Sequence, residues 1–222
     1  VKSGVKITPE KLTVEFRVFD IIKENEIFAK RYVGKPDSAV AIAHRFSDDL
    51  MERLTGKRGV FSTKLAFVSD AAGSKEIYVS DYDGRNAQRI TGNSSINLSP
   101  RWSPDASRIL YTSYKAGWPC VFESDLRTGV VSVIADKPGS NIAGNRSPDG
   151  SKIALTMSEA KGPELFVLSQ NGKRFQKLTD NYAIDVSPTW SPDGAKLAYT
   201  SDAAGNPNIY VINSTGGDSR RL

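Results

Sequence analysis

A period of 44 residues runs through most of this chain and constrains its fold more than any other feature. The tripeptide Ser-Pro-Asp starts at Ser103, Ser147 and Ser191, at steps of 44. The segment that follows recurs in phase as LAFVSD from Leu65, ILYTSY from Ile109, IALTMS from Ile153 and LAYTSD from Leu197. A third marker keeps the step: Ile77-Tyr78-Val79, Val121-Phe122-Glu123, Leu165-Phe166-Val167 and Ile209-Tyr210-Val211. A period of about 40–45 residues built from short strands is the mark of propeller blades.

The last copy shows what one unit contains. Pro188 to Ser191, Lys196 to Ser201, Asn208 to Asn213 and Ser219 to Leu222 read as four short strands separated by three turns. Ser-Pro-Asp-Gly is turn chemistry: proline presets φ at the first corner, aspartate bonds its own backbone, and glycine accepts positive φ. Asp105-Ala106 keeps the aspartate without the glycine, so that turn carries strain or another geometry. The strands mix β-branched, aromatic and small residues with partial alternation, as suits strands covered on both faces. One such unit cannot bury both faces alone, and stacking around an axis solves this while limiting exposed edges. A linear solenoid is the alternative with the same period.

The predicted fold class is therefore mainly β: four 44-residue blades of a β-propeller over residues 59–222, after a small α/β piece over 1–58. In the first copy Arg58-Gly59-Val60-Phe61 stand where Trp102-Ser103-Pro104-Asp105 would, so its first strand must come from elsewhere. The expectation is a segment of a longer protein with further blades and a closing strand beyond Leu222, or a four-bladed assembly with an unusual closure. A start at Val1 rather than Met fits a cleaved or excised product.

Before the repeat, LTVEFRVFD (12–20) alternates apolar and polar, and Ile27 to Val33 continues after the turn-like Lys23-Glu24-Asn25, predicting a hairpin. From Asp37 the period changes. Ile42, Phe46, Leu50 and Leu54 fall at four-residue steps, a helix face bounded by Pro36-Asp37-Ser38 and Thr55-Gly56. His44, the sole histidine, falls on the polar face with Asp48 four residues on, a solvated position.

Composition narrows the chemistry. An ordinary apolar fraction predicts a soluble globular chain, and no apolar run is long enough to cross a bilayer. The net charge of +5 arises mostly in residues 1–64, with 13 basic and 9 acidic side chains, and no basic stripe interleaved with aromatics marks nucleic-acid binding. Cys120 is alone, excluding an intrachain disulfide or a cysteine-based zinc site, and its apolar neighbours predict a buried strand position. Serine catalysis needs a base, and the repeats contain no histidine. Asp105, Asp149 and Asp193 occupy the same turn in successive copies and read as blade architecture. No cofactor or metal is called for, and the chain is read as a non-enzyme.

The loops between copies, Gly92 to Leu98, Lys137 to Asn145 and Asn181 to Val186, gather at one end of the blades. Ile96, Ile142 and Ile184 set apolar points among their polar groups, a mixture that fits a protein or peptide contact surface. Ordinary loop composition accounts equally for the polar part. Arg146 replaces the tryptophan of Trp102 and Trp190, a break in the pattern that reads either as a channel-facing charge or as nothing.

The repeat markers, together with Arg53-Leu54-Thr55-Gly56-Lys57-Arg58-Gly59-Val60-Phe61 running into Thr63-Lys64-Leu65-Ala66-Phe67-Val68, resemble the TolB family over nearly the whole chain. The resemblance implies a periplasmic, non-enzymatic protein of the Tol-Pal system with an α/β amino-terminal domain and a six-bladed propeller. It further implies that one propeller face binds the lipoprotein Pal, helping maintain outer-membrane integrity during division, while an extreme amino-terminal segment engages TolA. Against that pattern this chain lacks the beginning of the first domain, TolA segment included, and about two final blades. By position, the Pal-facing residues implied are Asn97, Asn141, Ala143, Asp185 and Val186. Two rivals share the repeat: the gating propeller of a prolyl-oligopeptidase-like peptidase, which would require a hydrolase domain elsewhere, and a carboxylate glycosidase, which would require acids converging on the axis.

Overall fold

The computed structural model describes residues 1–169 and 175–222, which divide into two compact units. The first comprises Val1–Leu65 with Ser80–Ala87. Its sheet has three antiparallel strands in the order β1 (Lys2–Ile7), β2 (Leu12–Asp20) and β3 (Asn25–Gly34). The expected hairpin is thus extended by β1, whose six residues are all exposed. Its only apolar alternation, Val5-Lys6-Ile7, is too short for the sequence to mark a strand there.

A short 3₁₀ turn at Pro36–Ser38 leads into α1 (Ala39–Thr55), which ends on Gly56 at φ 72°, with the Gly56 N–H donating to Glu52 O. Positive φ at this position is the common helix stop, and glycine adopts it without a Cβ penalty. Ile42 packs with Leu12, Val14 and Tyr32, and Phe46 stacks on Phe16 at 4.0 Å between ring centroids. Leu54, expected on this face, is 60% exposed. Four-residue steps advance about 400°, so the row drifts around the helix by about 120° between Ile42 and Leu54 and leaves the sheet.

The polar face also departs from expectation. Asp48 is 1% exposed, and its carboxylate accepts the backbone N–H groups of Phe61 (2.7 Å) and Ser62 (2.9 Å). Burial pushes its pKa up, but hydrogen bonds from Ser62 and Phe61 and the charge of Arg58 outweigh burial and hold it below the usual aspartate value. The chain following α1 folds back over this face. Gly59 permits the approach, since a Cβ there would lie 2.6 Å from Asp48 Oδ1. His44, expected to be solvated, is half-buried with Nε2 3.3 Å from Asp83 Oδ2.

The second unit, Ala66–Val79 with Gln88–Leu222, carries the repeat. β4 (Lys64–Ser69), β5 (Glu76–Asp81) and β6 (Gln88–Arg89) form a three-stranded sheet. Three four-stranded sheets follow: β7 (Asn97–Trp102), β8 (Arg108–Ser113), β9 (Cys120–Asp125) and β10 (Val131–Ala135); β11 (Asn141–Arg146), β12 (Lys152–Glu159), β13 (Gly162–Ser169) and β14 (Phe175–Lys177); and β15 (Asp185–Trp190), β16 (Lys196–Ser201), β17 (Asn208–Asn213) and β18 (Arg220–Arg221). Every sheet is an antiparallel meander, and the first lacks the inner strand, as the sequence markers require. β11 packs against β7, β8 and β9 of the blade before it, while β15 packs against β11, β12 and β13. Leu110, Val121, Leu155 and Phe166 fill one inter-blade core, and Ala154, Val167, Leu197 and Ile212 the next. The protein is mainly β with a propeller fold.

Candidate functional site

The repeated aspartates are absorbed by the turns. Ser103 Oγ donates to Asp105 Oδ1 at 2.6 Å and Ser107 Oγ to Oδ2 at 2.6 Å, while Ala106 N–H closes the turn on Ser103 O at 2.9 Å. Asp149 is held the same way by Ser147 and Ser151, and these bonds bring its pKa down to about 2. Gly150 and Gly194 sit at φ 74° and 71°, and Ala106 is forced to 53° in the same geometry. The missing glycine therefore appears as strain rather than as another turn.

Arg146 is neither solvated nor free. Its guanidinium grips Glu123 of the preceding blade through Nε–Oε1 and Nη2–Oε2 bonds of 2.7 Å each, and Nη1 donates to Gly150 O. Both side chains are 7% exposed. Glu123 stands where the other blades have Val79, Val167 and Val211. Trp102 and Trp190, the counterparts of Arg146, pack on the clusters containing Val79 and Val167. The same place in the repeat is thus filled twice by a tryptophan against an apolar cluster that includes the valine and once by the Arg146–Glu123 pair.

At the opposite end of the blades, Asn97, Asn141 and Asp185 open β7, β11 and β15, 44 residues apart, and are almost wholly buried. Asn97 Nδ2 donates to Lys75 O (3.1 Å) and Glu76 Oε2 (3.0 Å), and Asn141 Nδ2 donates to Pro119 O (3.0 Å) and Lys137 O (2.6 Å). Asp185 Oδ2 accepts from Asn181 Nδ2, while its Oδ1 is buried without a partner among the described residues. Ala143 is buried, its N–H on Thr112 Oγ1, and Val186 is half-buried. The structure brings all five to the same end of three adjacent inner strands, where these bonds set the course of the loops.

Sequence reasoning missed the carboxylates beneath those loops. Glu164 is fully buried; Thr179 Oγ1 donates to its Oε2 at 2.6 Å and Asn181 N–H to its Oε1 at 2.8 Å. The same Thr179 hydroxyl accepts Leu165 N–H at 3.0 Å. Glu76, Thr91 and Ser94 N–H repeat the arrangement, and Thr91 accepts Ile77 N–H. In the blade between, Cys120 and Ala135 take the places of the glutamate and threonine together. That paired exchange at 44-residue spacing was the available signal. Burial pushes the Cys120 thiol up, with the charge of Asp136 adding to it, which suits packing rather than nucleophilic chemistry.

The loop tips, by contrast, present apolar groups. Ile96 is 45% exposed, Tyr182 86% and Ile184 51%, and Trp118 joins them from the β8–β9 loop at 45%. Tyr114 N–H on Ile96 O and Ile184 N–H on Asp202 Oδ1 tie the two kinds of loop into one end surface. Among the described residues no cluster of three metal-ligating side chains occurs, and no helix is long and apolar enough to cross a membrane.

Comparison with known proteins places this architecture. The chain is 45% identical over 126 residues to the Tol-Pal system protein TolB of Desulfosudis oleivorans, a match covering 57% of this chain and 29% of the relative. It is 51% identical over 109 residues to the same-named protein of Geobacter metallireducens, covering 49% and 25%. The crystal structure of TolB from Acinetobacter baumannii superposes with a TM-score of 0.90 at 29% identity, over 99% of this chain and 56% of that one. The matched lengths are well under two thirds of these relatives. Residues 51–222 match the family described as TolB beta propeller domain, and the chain belongs to that family.

Proposed function

We propose that this chain is the central part of a non-catalytic scaffold of the Tol-Pal system, acting in the periplasm and receiving the lipoprotein Pal on the loop end of its blades. The observation that carries this reading is the pairing of rigid loop bases with apolar tips. Buried Glu76, Asn97, Asn141 and Glu164 hold the loops, and Ile96, Trp118, Tyr182 and Ile184 stand out from them. Large apolar and aromatic anchors on a pre-ordered frame are what a protein partner buries with little entropic loss. In this reading Asn97, Asn141 and Asp185 act by positioning, and Ala143 and Val186 lie one layer beneath the contact. A role in outer-membrane integrity during division follows from Pal binding. TolA is assigned to no residue of this chain.

Calorimetric titration with purified Pal tests the reading. Tyr182→Ala with Ile184→Ser weakens binding at least about tenfold, the scale of losing buried hot-spot side chains. Unchanged affinity in that double variant removes the assignment.

A further inference from the structure

Blades that repeat every 44 residues offer one another interchangeable surfaces. Ile77 shares a buried core with Ile109, Val121 with Ile153 and Leu165 with Leu197, and the three pairs occupy the same places at three successive junctions between blades. A blade docked out of turn, or docked on a blade of another chain, would therefore still bury an apolar core. Hydrophobic burial is non-directional and does not tell these arrangements apart.

The Arg146–Glu123 pair breaks this equivalence. Among the described residues it is the one ion pair in which both side chains are under a tenth exposed, and it crosses from β9 of the second blade to β11 of the third. Glu123 meets one further cation, half-buried Arg108 with Nη1 at 3.6 Å, which also bonds Asp125. The remaining bond of the Arg146 guanidinium goes to Gly150 O in its own blade. Only the native junction neutralises both charges. With the fourth blade docked on the second, Trp190 would stand against Glu123 and leave that carboxylate with Arg108 alone. With the third blade docked on the first, Arg146 would meet Val79, and its guanidinium would be buried without a carboxylate. A buried ion that loses its partner is strongly destabilising, whereas a matched buried pair and its apolar equivalent differ little in stability.

We propose that the Arg146–Glu123 pair is an address that fixes which blade docks on which, acting against out-of-turn docking and against exchange of blades between two chains. Its contribution is to the specificity of assembly, through the cost of every wrong junction, and not to net stability.

Refolding of the full chain from urea, read by size exclusion at several protein concentrations, tests this. Arg146→Trp with Glu123→Val makes the junction apolar like its neighbours and should raise the fraction of swapped dimers and larger species at least about tenfold over the parent, since a wrong junction no longer strands an ion. Arg146→Glu with Glu123→Arg restores a matched pair in reverse and refolds as faithfully as the parent. The single changes Arg146→Glu and Glu123→Arg each set like charges against one another. Refolded together in equal amounts, these two chains should form a heterodimer in which the third blade of each docks on the second blade of the other, because both junctions are then matched. A role in stability alone would give no such heterodimer. Equal misassembly in the parent and the apolar double variant, misassembly of the reversed pair, or mixed single variants that show no excess of heterodimer overturns the proposal. If the apolar double variant does not refold, the reversed pair and the mixed single variants decide the matter.

Discussion

Replacing Glu164 by cysteine and Thr179 by alanine, singly and together, converts the third blade's loop anchor into the pair that the second blade carries naturally as Cys120 and Ala135. Thr179→Ala removes the bond from its hydroxyl to the buried carboxylate and leaves Leu165 N–H without its acceptor. A hydrogen bond to a carboxylate is worth about 1.5–3 kcal/mol and a stranded buried N–H costs about 1–3 kcal/mol, so the single change should lose about 3–5 kcal/mol. Glu164→Cys loses the same shared bond and strands Asn181 N–H. The double variant loses the shared bond once, so the cycle should return a coupling of about 2 kcal/mol, with the double less destabilised than the sum of the singles. Urea unfolding followed by circular dichroism reads all four proteins. Additivity within about 0.5 kcal/mol would mean that the glutamate and threonine do not form one unit, and the account of the loop anchors would fall.

The Arg146–Glu123 contact allows a second exchange: Arg146→Ala should lose about 3 kcal/mol by leaving buried Glu123 with only Arg108, 3.6 Å away, while Arg146→Trp with Glu123→Val should restore most of the stability by placing a tryptophan on an apolar cluster as the neighbouring blades do. Thermal unfolding in which the double variant is no better than Arg146→Ala would refute the equivalence. Ala106→Gly should raise stability by about 1 kcal/mol, because alanine at φ 53° bears a penalty that glycine does not. A lower melting temperature would show that the turn gains something from the methyl group. Asp48 has a folded pKa held below its unfolded value, so its stabilisation is present above that unfolded value and is lost as pH falls through the folded one. The stability difference between the parent and Asp48→Asn should therefore be large at neutral pH and shrink in acid; a gap constant with pH would contradict the hydrogen-bonded carboxylate.

Phase and turn chemistry, both local, were determined by the chain itself. The 44-residue spacing set the blade boundaries, and Ser-Pro-Asp set the first turn of each complete blade, because those depend on φ preferences and on bonds between residues a few positions apart. Ile42 and Phe46 could be placed against a sheet for the same reason. Tertiary structure decided everything that depends on which blade or loop meets which. His44 and Asp48 read as a solvated helix face until the following segment folded over them. Arg146 read as a channel-facing charge or as nothing, whereas it grips Glu123, 23 residues earlier and in another blade. The loop residues Asn97, Asn141 and Asp185 read as surface, whereas burial turned their side chains inward onto backbone groups and carboxylates that no local pattern announces. Periodicity reports what repeats along the chain; the cost of leaving a buried polar group without a partner, which settled these positions, exists only once the blades are packed.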